Sequence, residues 1–256
     1  MKPDITLILP IKNEDKILFK NINKYKKKIE SITKKKIIII TVLNGSSDKS
    51  EKIIDKLKKK YLIKKYILKS GNYGLALKVG LNKVHTKFAI IMNVDYVWDD
   101  LFFRWSIKKK NSYDMIIGSK SLDPKINSQN FYRKFLTWGL NLILRLIFNS
   151  PVTDTHGLKV INVKRAKKLI KKCKMSRGQF DTELTLNCLD KKFKIVEVPV
   201  KYRELRPQRN FMITKIVQNI YDLTFLYMNL RKIDLSKKLN YSRLSRKMMK
   251  DEYLKS

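Results

Sequence analysis

The chain has 256 residues, 43% of them hydrophobic, with 8 Gly and 6 Pro. This composition excludes a globally disordered chain, and the length suits one large α/β domain or a domain with appendages. Lys+Arg is 58 against 22 Asp+Glu, a formal charge of +36, so the surface attracts polyanions: nucleic acid, anionic lipid headgroups or phosphorylated substrates.

Ile5–Ile11 is an apolar run that reads as a buried strand, and a Lys-rich helix is expected over about 15–33. A second strand at 37–43 ends in Asn44-Gly45-Ser46-Ser47-Asp48, and a helix follows through 49–60. A third strand at 62–68 leads to the turn Gly71-Asn72-Tyr73-Gly74, which opens a helix to about Val84. Strands at 88–94 and 115–118 complete the first half. Strands separated by 10–15-residue helical patterns mean βαβ units and a parallel sheet. Right-handed crossovers then bring the loops at 10–14, 44–48, 71–74 and 93–95 to one sheet edge.

In the second half, 131–148 reads as a helix with an unusually wide apolar face and one polar stripe, Arg133, Thr137, Asn141 and Arg145. A strand at 160–162, helices near 164–172 and 180–189, a strand at 194–200 and an amphipathic helix at 212–230 follow. The last 26 residues carry nine Lys/Arg and three Asp/Glu and read as a basic tail. Cys173 and Cys188 have no metal-ligand spacing and are expected as buried hydrophobes in a reducing compartment. The start, Met1-Lys-Pro-Asp, enters a strand without a signal-peptide pattern. No 18-residue uncharged apolar window predicts a membrane-spanning helix.

The most informative stretch is Asn93-Val-Asp95-Tyr-Val-Trp-Asp99-Asp100, directly after the apolar run from Phe88. An Asp at the end of a buried parallel strand lies where open α/β sheets bind ligands. There it can hold a divalent cation, and through it a diphosphate. A turn-forming or helix-capping Asp is the alternative reading.

Taken in order, the motifs are Pro10-Ile-Lys-Asn13-Glu14, Asn44-Gly-Ser46-Ser-Asp48, Asn72-Tyr-Gly74-Leu-Ala76 with Gly80, Asn93-Val-Asp95 and Gly118-Ser-Lys120. Thr153-Asp154-Thr-His-Gly157-Leu-Lys159, Phe180-Asp181-Thr-Glu183-Leu184 and Glu197-Val-Pro199-Val-Lys-Tyr202-Arg203 follow. The series resembles the family 2 glycosyltransferases of the GT-A fold, nearest in pattern to the dolichyl-phosphate mannosyl- and glucosyltransferases. It spans roughly residues 3–210.

The resemblance implies an α/β fold, the GT-A nucleotide-diphospho-sugar transferase fold, with a mostly parallel central sheet flanked by helices. Residues 1–210 would form the transferase domain, and 211–256 a C-terminal amphipathic helix and basic tail. It assigns donor binding to Pro10, Asn13, Glu14, Asn44, Ser46, Asp48, Gly74, Asn93, Lys120, Arg203 and Arg206, with Arg209 nearby. Gly74 would let a helix N-terminus approach a phosphate closely. Asp95, with Asn93, would hold Mg²⁺ or Mn²⁺ against the donor diphosphate.

Asp154, Asp181 and Glu183 complete the catalytic set alongside Asp95. Asp181 and Glu183 are two apart on a helix, so only one can face the cleft. A hydroxyl acceptor would need one of these carboxylates as general base, whereas a lipid phosphate would not. The chain departs from the family pattern at Asn44, Asn93 and Val97, where Asp, Asp and Gln are usual, and at Tyr73, where Lys is common. Asp99 and Asp100 are possible reserve ligands.

The implied reaction is inverting transfer of a hexose from GDP-mannose or UDP-glucose to a polyprenyl or dolichyl phosphate. The helix at 131–148, with Tyr132 and Trp138, is expected to lie in a membrane interface, attaching the protein peripherally to an anionic cytoplasmic face. Two other functions stay open: family 2 transfer to a glycan or glycolipid hydroxyl, and a non-enzymatic nucleic-acid-binding protein. The last is disfavoured by the excess of Lys over Arg and the lack of an RNA-binding aromatic motif, so no specific nucleic acid is expected.

Overall fold

The computed structural model describes residues 2–129, 131–203, 213–236 and 239–254. The first half follows the alternation read from the sequence. Strands β1 (Ile5–Ile11), β2 (Ile38–Asn44), β3 (Ile63–Leu68), β4 (Phe88–Ile91) and β5 (Met115–Ser119) are separated by α1 (Asp15–Thr33), α2 (Ser50–Lys58), α3 (Tyr73–Asn82) and α4 (Asp100–Lys109). Then come the short β6 (Asn127–Ser128), α5 (Phe131–Phe148), β7 (Leu158–Asn162), α6 (Val163–Lys172), α7 (Phe180–Asp190), β8 (Ile195–Pro199) and β9 (Tyr202–Arg203). The chain continues through α8 (Ile213–Leu230), β10 (Tyr241–Arg243) and α9 (Arg246–Leu254).

One eight-stranded sheet runs in the order β10-β8-β5-β7-β4-β1-β2-β3, and β6 pairs with β9 beside it. All ladders of the large sheet are parallel except those of β7, which runs antiparallel between β4 and β5. Both sheet faces are covered. One carries Leu7, Leu9, Ile39, Ile90 and Val196 against α1, α2 and α4. The other carries Ile8, Ile40, Ile91, Ile117 and Ile195 against α3, α6 and α7. Burial on both faces explains why these strands read as continuous apolar runs rather than as alternation.

Residues 239–254, expected within a basic tail, form a strand and a helix that pack on the domain. Tyr241–Arg243 pairs in parallel with β8, and α9 seats Met249, fully buried, against α4. Arg246 clamps Asp99 at 2.6 and 3.3 Å, and Trp105 donates to Glu252 at 3.2 Å. The basic side chains of this segment hid a strand and helix held by a few internal contacts. Cys173 and Cys188 are free and buried, and burial pushes the Cys173 thiol up to about 12.

Candidate active site

The strand-end loops converge as expected, wired by their own polar side chains. Asn13 sits at φ 56°, a left-handed conformation that Asn tolerates. Its amide donates to Ser46 Oγ at 3.3 Å, and its Oδ1 accepts from the Ser47 amide at 2.9 Å. Ser46 Oγ donates to the Ile11 carbonyl at 3.1 Å. Asp48 accepts from the Asp15 amide at 2.9 Å and the Ser50 amide at 3.0 Å, joining the first turns of α1 and α2. Burial works to raise its carboxyl, but these hydrogen bonds outweigh it and hold the group below the ordinary range. Glu14 is buried, and its amide donates to Ser50 Oγ at 3.1 Å. Pro10, the residue before the last of β1, is in register with Val42.

The chain of contacts continues into α3 and the loop of Asp95. Buried Asn44 accepts from the Asn72 amide at 2.5 Å. Asn72 caps α3 by accepting from Leu75 at 3.2 Å. The Tyr73 hydroxyl then donates to Asn93 Oδ1 at 3.1 Å. Gly71 lies so near Lys12 that a Cβ there would meet its Nζ at 2.4 Å, which brings a cation to the mouth of these loops. The Asn21 side chain donates to the Val94 carbonyl at 2.7 Å, and the Tyr25 hydroxyl lies 2.8 Å from Val94 O and 2.6 Å from Tyr96 O. These two α1 residues hold the turn that presents half-buried Asp95. They were not singled out in the sequence, where Tyr25 reads as one more residue of an apolar helix face.

Several expected roles are placed differently. A Cβ on Gly74 would lie 1.7 Å from the Arg177 carbonyl oxygen, so the missing side chain admits the chain's own 176–177 loop. Gly80 similarly admits Ile8, whose Cγ2 would be 2.7 Å from a Cβ. Lys78 turns to the Cys173 carbonyl. Asn93 offers its carbonyl oxygen to Tyr73. Asp99 is no reserve ligand, because its carboxylate accepts from Phe102, Lys201 and Arg246. Asp100 pairs with Arg104 at 2.5 Å. Arg203 is exposed, in register with Ser128. Arg206 and Arg209 lie outside the described residues, as do the side chains of Tyr132 and Arg133.

Buried Asp154 accepts from the Lys120 amide at 3.2 Å and the His156 amide at 3.1 Å, and the Lys120 ammonium lies 3.2 Å from its Oδ2 as an ion pair. Burial alone would raise its carboxyl. The Lys120 charge and amide outweigh that and hold it below the usual range. Lys120 also lies over the Tyr202 ring, 5.3 Å from the centroid.

Asp181 and Glu183 face different ways, as their spacing requires. Glu183 accepts from the amides of Lys174 and Met175 at 2.9 and 2.7 Å and so pins the loop after α6. Asp181, 1% exposed, lies 3.1 Å from Lys159 Nζ, yet neither of its oxygens accepts a hydrogen bond. The fully buried Lys159 instead donates to the carbonyls of Thr155 and Gly157 at 2.7 and 3.2 Å. His156 Nε2 lies 2.9 Å from the Gly178 carbonyl, which can only accept, so that nitrogen carries a proton. Burial lowers the His156 pKa against the pull of Asp181 and Asp154.

Burial first, then the charges of Asp181, Asp95 and Asp154, push the Tyr73 phenol well up. Asp95 and Asp154 from two loops and Asp181 from the first turn of α7 thus all act on the Tyr73 hydroxyl. Among the described residues no three His, Cys, Asp or Glu form a ready-made metal cage. A hard cation at a diphosphate site takes one or two carboxylates and completes its shell with phosphate oxygens and water. Asp95 at the sheet edge fits that demand.

Two clefts adjoin the 153–156 turn, one on each side of α5. The first, about 290 Å³, is lined by Lys120, Asn127, Lys134, Trp138, Arg145 and Thr153 among others. The second, about 340 Å³, is an apolar groove between α5 and α8 that runs from Phe135, Leu140, Ile143, Ile220 and Leu223 to His156 and Gln179. Asp95 lines neither.

Residues 6–157, more than half of the chain, match Glycosyl transferase family 2. The protein belongs to that family, and its α/β fold with a mostly parallel sheet is that of the GT-A glycosyltransferases. An uncharacterized protein of Methanocaldococcus jannaschii is 28% identical over 209 residues, covering 78% of this chain and 82% of the relative. A dolichyl-phosphate β-glucosyltransferase of Trichomonas vaginalis is 23% identical over 234 residues, covering 86% and 71%. Among solved structures, glucosyl-3-phosphoglycerate synthase of Mycobacterium tuberculosis in complex with uridine diphosphate superposes with a TM-score of 0.62 at 13% identity, over 91% of this chain and 82% of the other. A mannosyltransferase of Pyrobaculum calidifontis in complex with GDP-mannose and Mn²⁺ gives 0.59 at 12% identity, over 91% and 65%. At such identity these are likenesses of fold.

Proposed function

We propose that the protein transfers a hexose, with inversion, from a nucleoside diphosphate sugar to a polyprenyl or dolichyl phosphate at the cytoplasmic face of a membrane. The observation that carries this reading is the apolar groove between α5 and α8, which ends at His156 beside the buried carboxylates. Phe131, Phe135, Trp138, Leu146 and Ile147 of α5 and Ile220, Tyr221, Phe225 and Met228 of α8 are exposed. Each would gain about 1.5–3 kcal/mol, at most, on full burial of its side chain. Among its described side chains α5 buries only Leu144 and Phe148 completely, so an interfacial position for its exposed apolar residues is the consistent one. No helix of the described residues is long and apolar enough to cross a membrane. The similarity to a dolichyl-phosphate β-glucosyltransferase supports the same acceptor class.

In this reading the loops at 10–14 and 44–48 take the nucleoside, with Lys12 and Asp95 at the diphosphate. Solved structures of the fold that hold Mn²⁺ with a nucleotide or nucleotide sugar support a divalent cofactor. Bound at Asp95, the cation would offset charge developing on the departing diphosphate. The basic cleft of Lys120, Lys134 and Arg145 offers charges for the acceptor phosphate. One phosphate oxygen forms the new bond to the anomeric carbon. The bond to the diphosphate breaks on the opposite face, and its electron pair leaves with the nucleoside diphosphate. An ionised phosphate needs no base.

A second reading, transfer to a sugar hydroxyl with Asp181 as general base, is favoured by the two Asp181 oxygens that accept no hydrogen bond. Incubation with labelled UDP-glucose or GDP-mannose, Mn²⁺ and undecaprenyl or dolichyl phosphate separates them. Label in the lipid extract is expected. Label confined to a glycan or glycolipid acceptor would replace the lipid-phosphate reading with the hydroxyl one.

A further inference from the structure

We propose that Tyr241 and Arg243, on the C-terminal edge strand, are positioning residues that set the Thr153–Asp154 turn of the acceptor site through the buried carboxylate of Glu197. The inference rests on the transferase reading above and adds to it a part of the chain that lies outside the matched residues 6–157.

Glu197 lies in β8, between β5 and β10, and is fully buried. Its Oε1 accepts from the Thr153 amide at 3.0 Å, the Thr153 hydroxyl at 2.8 Å and the Asp154 amide at 2.8 Å. One carboxylate thus fixes both residues of the turn. The turn in turn fixes the site. The Thr153 hydroxyl, spent as a donor on Glu197, accepts from Ser119 Oγ at 2.8 Å. The Asp154 carboxylate accepts from the Lys120 amide and pairs with its ammonium. From the opposite side, Asn141 of α5 donates to the Thr153 carbonyl.

A carboxylate enclosed in this way needs donors that keep it ionised. The C-terminal strand supplies them. The Tyr241 hydroxyl donates to Glu197 Oε2, and Arg243 Nε lies 3.8 Å from the same oxygen while its other nitrogen donates to the Pro151 carbonyl, just before the turn. Arg243 Nε also donates to the Tyr241 hydroxyl at 2.8 Å, which orients it. The charged and titratable groups that meet Glu197 are Asp154 from the turn, which opposes its charge, and Tyr241 and Arg243 from β10. Burial raises the Glu197 pKa, and the Tyr241 and Thr153 hydrogen bonds counter it. Protonation would turn an acceptor of four donors into a donor itself and release the turn. Because Arg246 and Met249 anchor the following helix on Asp99 and α4, the strand is held in place to do this.

The test uses the full chain with Tyr241→Phe, Arg243→Gln and Glu197→Gln. Amide exchange of 150–157 is followed by mass spectrometry, alongside sugar transfer to undecaprenyl phosphate across pH. Expected results are exchange of the Thr153 and Asp154 amides faster by roughly tenfold, as loss of a hydrogen bond to a charged group would produce. The turnover number falls while the donor KM stays within about twofold. In Tyr241→Phe the acid limb of the rate profile moves to higher pH, because Glu197 has lost a donor. Glu197→Gln removes that movement, and adding Tyr241→Phe to it has little further effect. Unchanged exchange and an unmoved acid limb in an active wild type would overturn the proposal, as would a loss of turnover that only tracks the melting temperature. A wild type that moves no sugar would instead remove the transferase reading, and the exchange data would still judge the wiring of the turn.

Discussion

Lys159 and Asp181 form the most deeply buried ion pair of the site, at 0% and 1% side-chain exposure and 3.1 Å apart. Their replacement makes a quantitative test of the geometry. Lys159→Met keeps the stem of the side chain without the ammonium and leaves the Asp181 carboxylate in a dry site with no hydrogen bond to either oxygen. Asp181→Asn leaves the ammonium with only the carbonyls of Thr155 and Gly157. Breaking a buried pair by removing one partner costs about 3–5 kcal/mol, because the other charge stays buried. With a urea slope of about 3 kcal/mol/M for a chain of this size, each single variant should lower the unfolding midpoint by roughly 1–1.7 M. The double variant should cost clearly less than the two singles together, with a coupling of about 0.5–3 kcal/mol. Urea unfolding of the four proteins, followed by tryptophan fluorescence and circular dichroism in parallel, completes the cycle. Midpoints of the singles within about 0.3 M of wild type, or strict additivity, would refute the buried pair and with it the placement of Asp181.

Other consequences are as direct. Gly74→Ala should destabilise by about 1–3 kcal/mol or more, because its Cβ meets a carbonyl oxygen that already accepts from Phe180. The gain in helix propensity, about 1 kcal/mol at most, does not offset that, and an unchanged urea midpoint would show that the 176–177 loop is not seated on α3. Asp154 has a depressed folded-state pKa, so its contribution is present above the unfolded value of about 3.9 and lost as pH falls through the folded one. Lys120→Met should therefore be less stable than wild type near neutrality, and the difference should shrink as pH drops below about 4; a constant difference across pH would contradict the pairing. Trp138→Ser with Leu146→Ser should reduce flotation with anionic vesicles at low salt, since these side chains are 59% and 74% exposed; unaltered flotation would remove α5 from the membrane contact.

The βαβ half of the fold was legible because β1, β2, β4 and β5 are buried on both faces and its turns carry Asn-Gly and Gly-Asn signals at strand ends. The helix at 131–148 was found with its observed bounds, since apolar breadth and a polar stripe leave no other period. The antiparallel direction of β7 was not legible, because a short apolar run carries no sign of its direction. β10 and α9 were missed because their stabilising contacts are few and specific: Tyr241 on Glu197, Arg246 on Asp99, Met249 in the core. Charge density gives no hint of those partners.

In the site, spacing alone correctly separated the faces of Asp181 and Glu183. What spacing could not give was which polar groups are spent inside the protein. Asp48, Asn93, Asp99 and Glu183 all hold neighbouring backbone or side chains. Nor could it show that Gly74 gives room to the 176–177 loop. Tyr25 and Asn21, which hold the Asp95 turn, read as ordinary residues of a helix.

The central claim is that the loops at 10–14, 44–48, 71–74 and 93–95 form one site for a nucleoside diphosphate and its cation. Calorimetric titration of UDP and GDP in the presence of Mn²⁺, into wild type and Asp95→Asn, tests it most directly. One nucleotide should bind the wild type with a metal-dependent gain of tenfold or more, on the order of 1.4 kcal/mol, and Asp95→Asn should lose that gain without loss of fold. Metal-independent binding that is equal in both proteins, or no binding of either nucleotide, would contradict it.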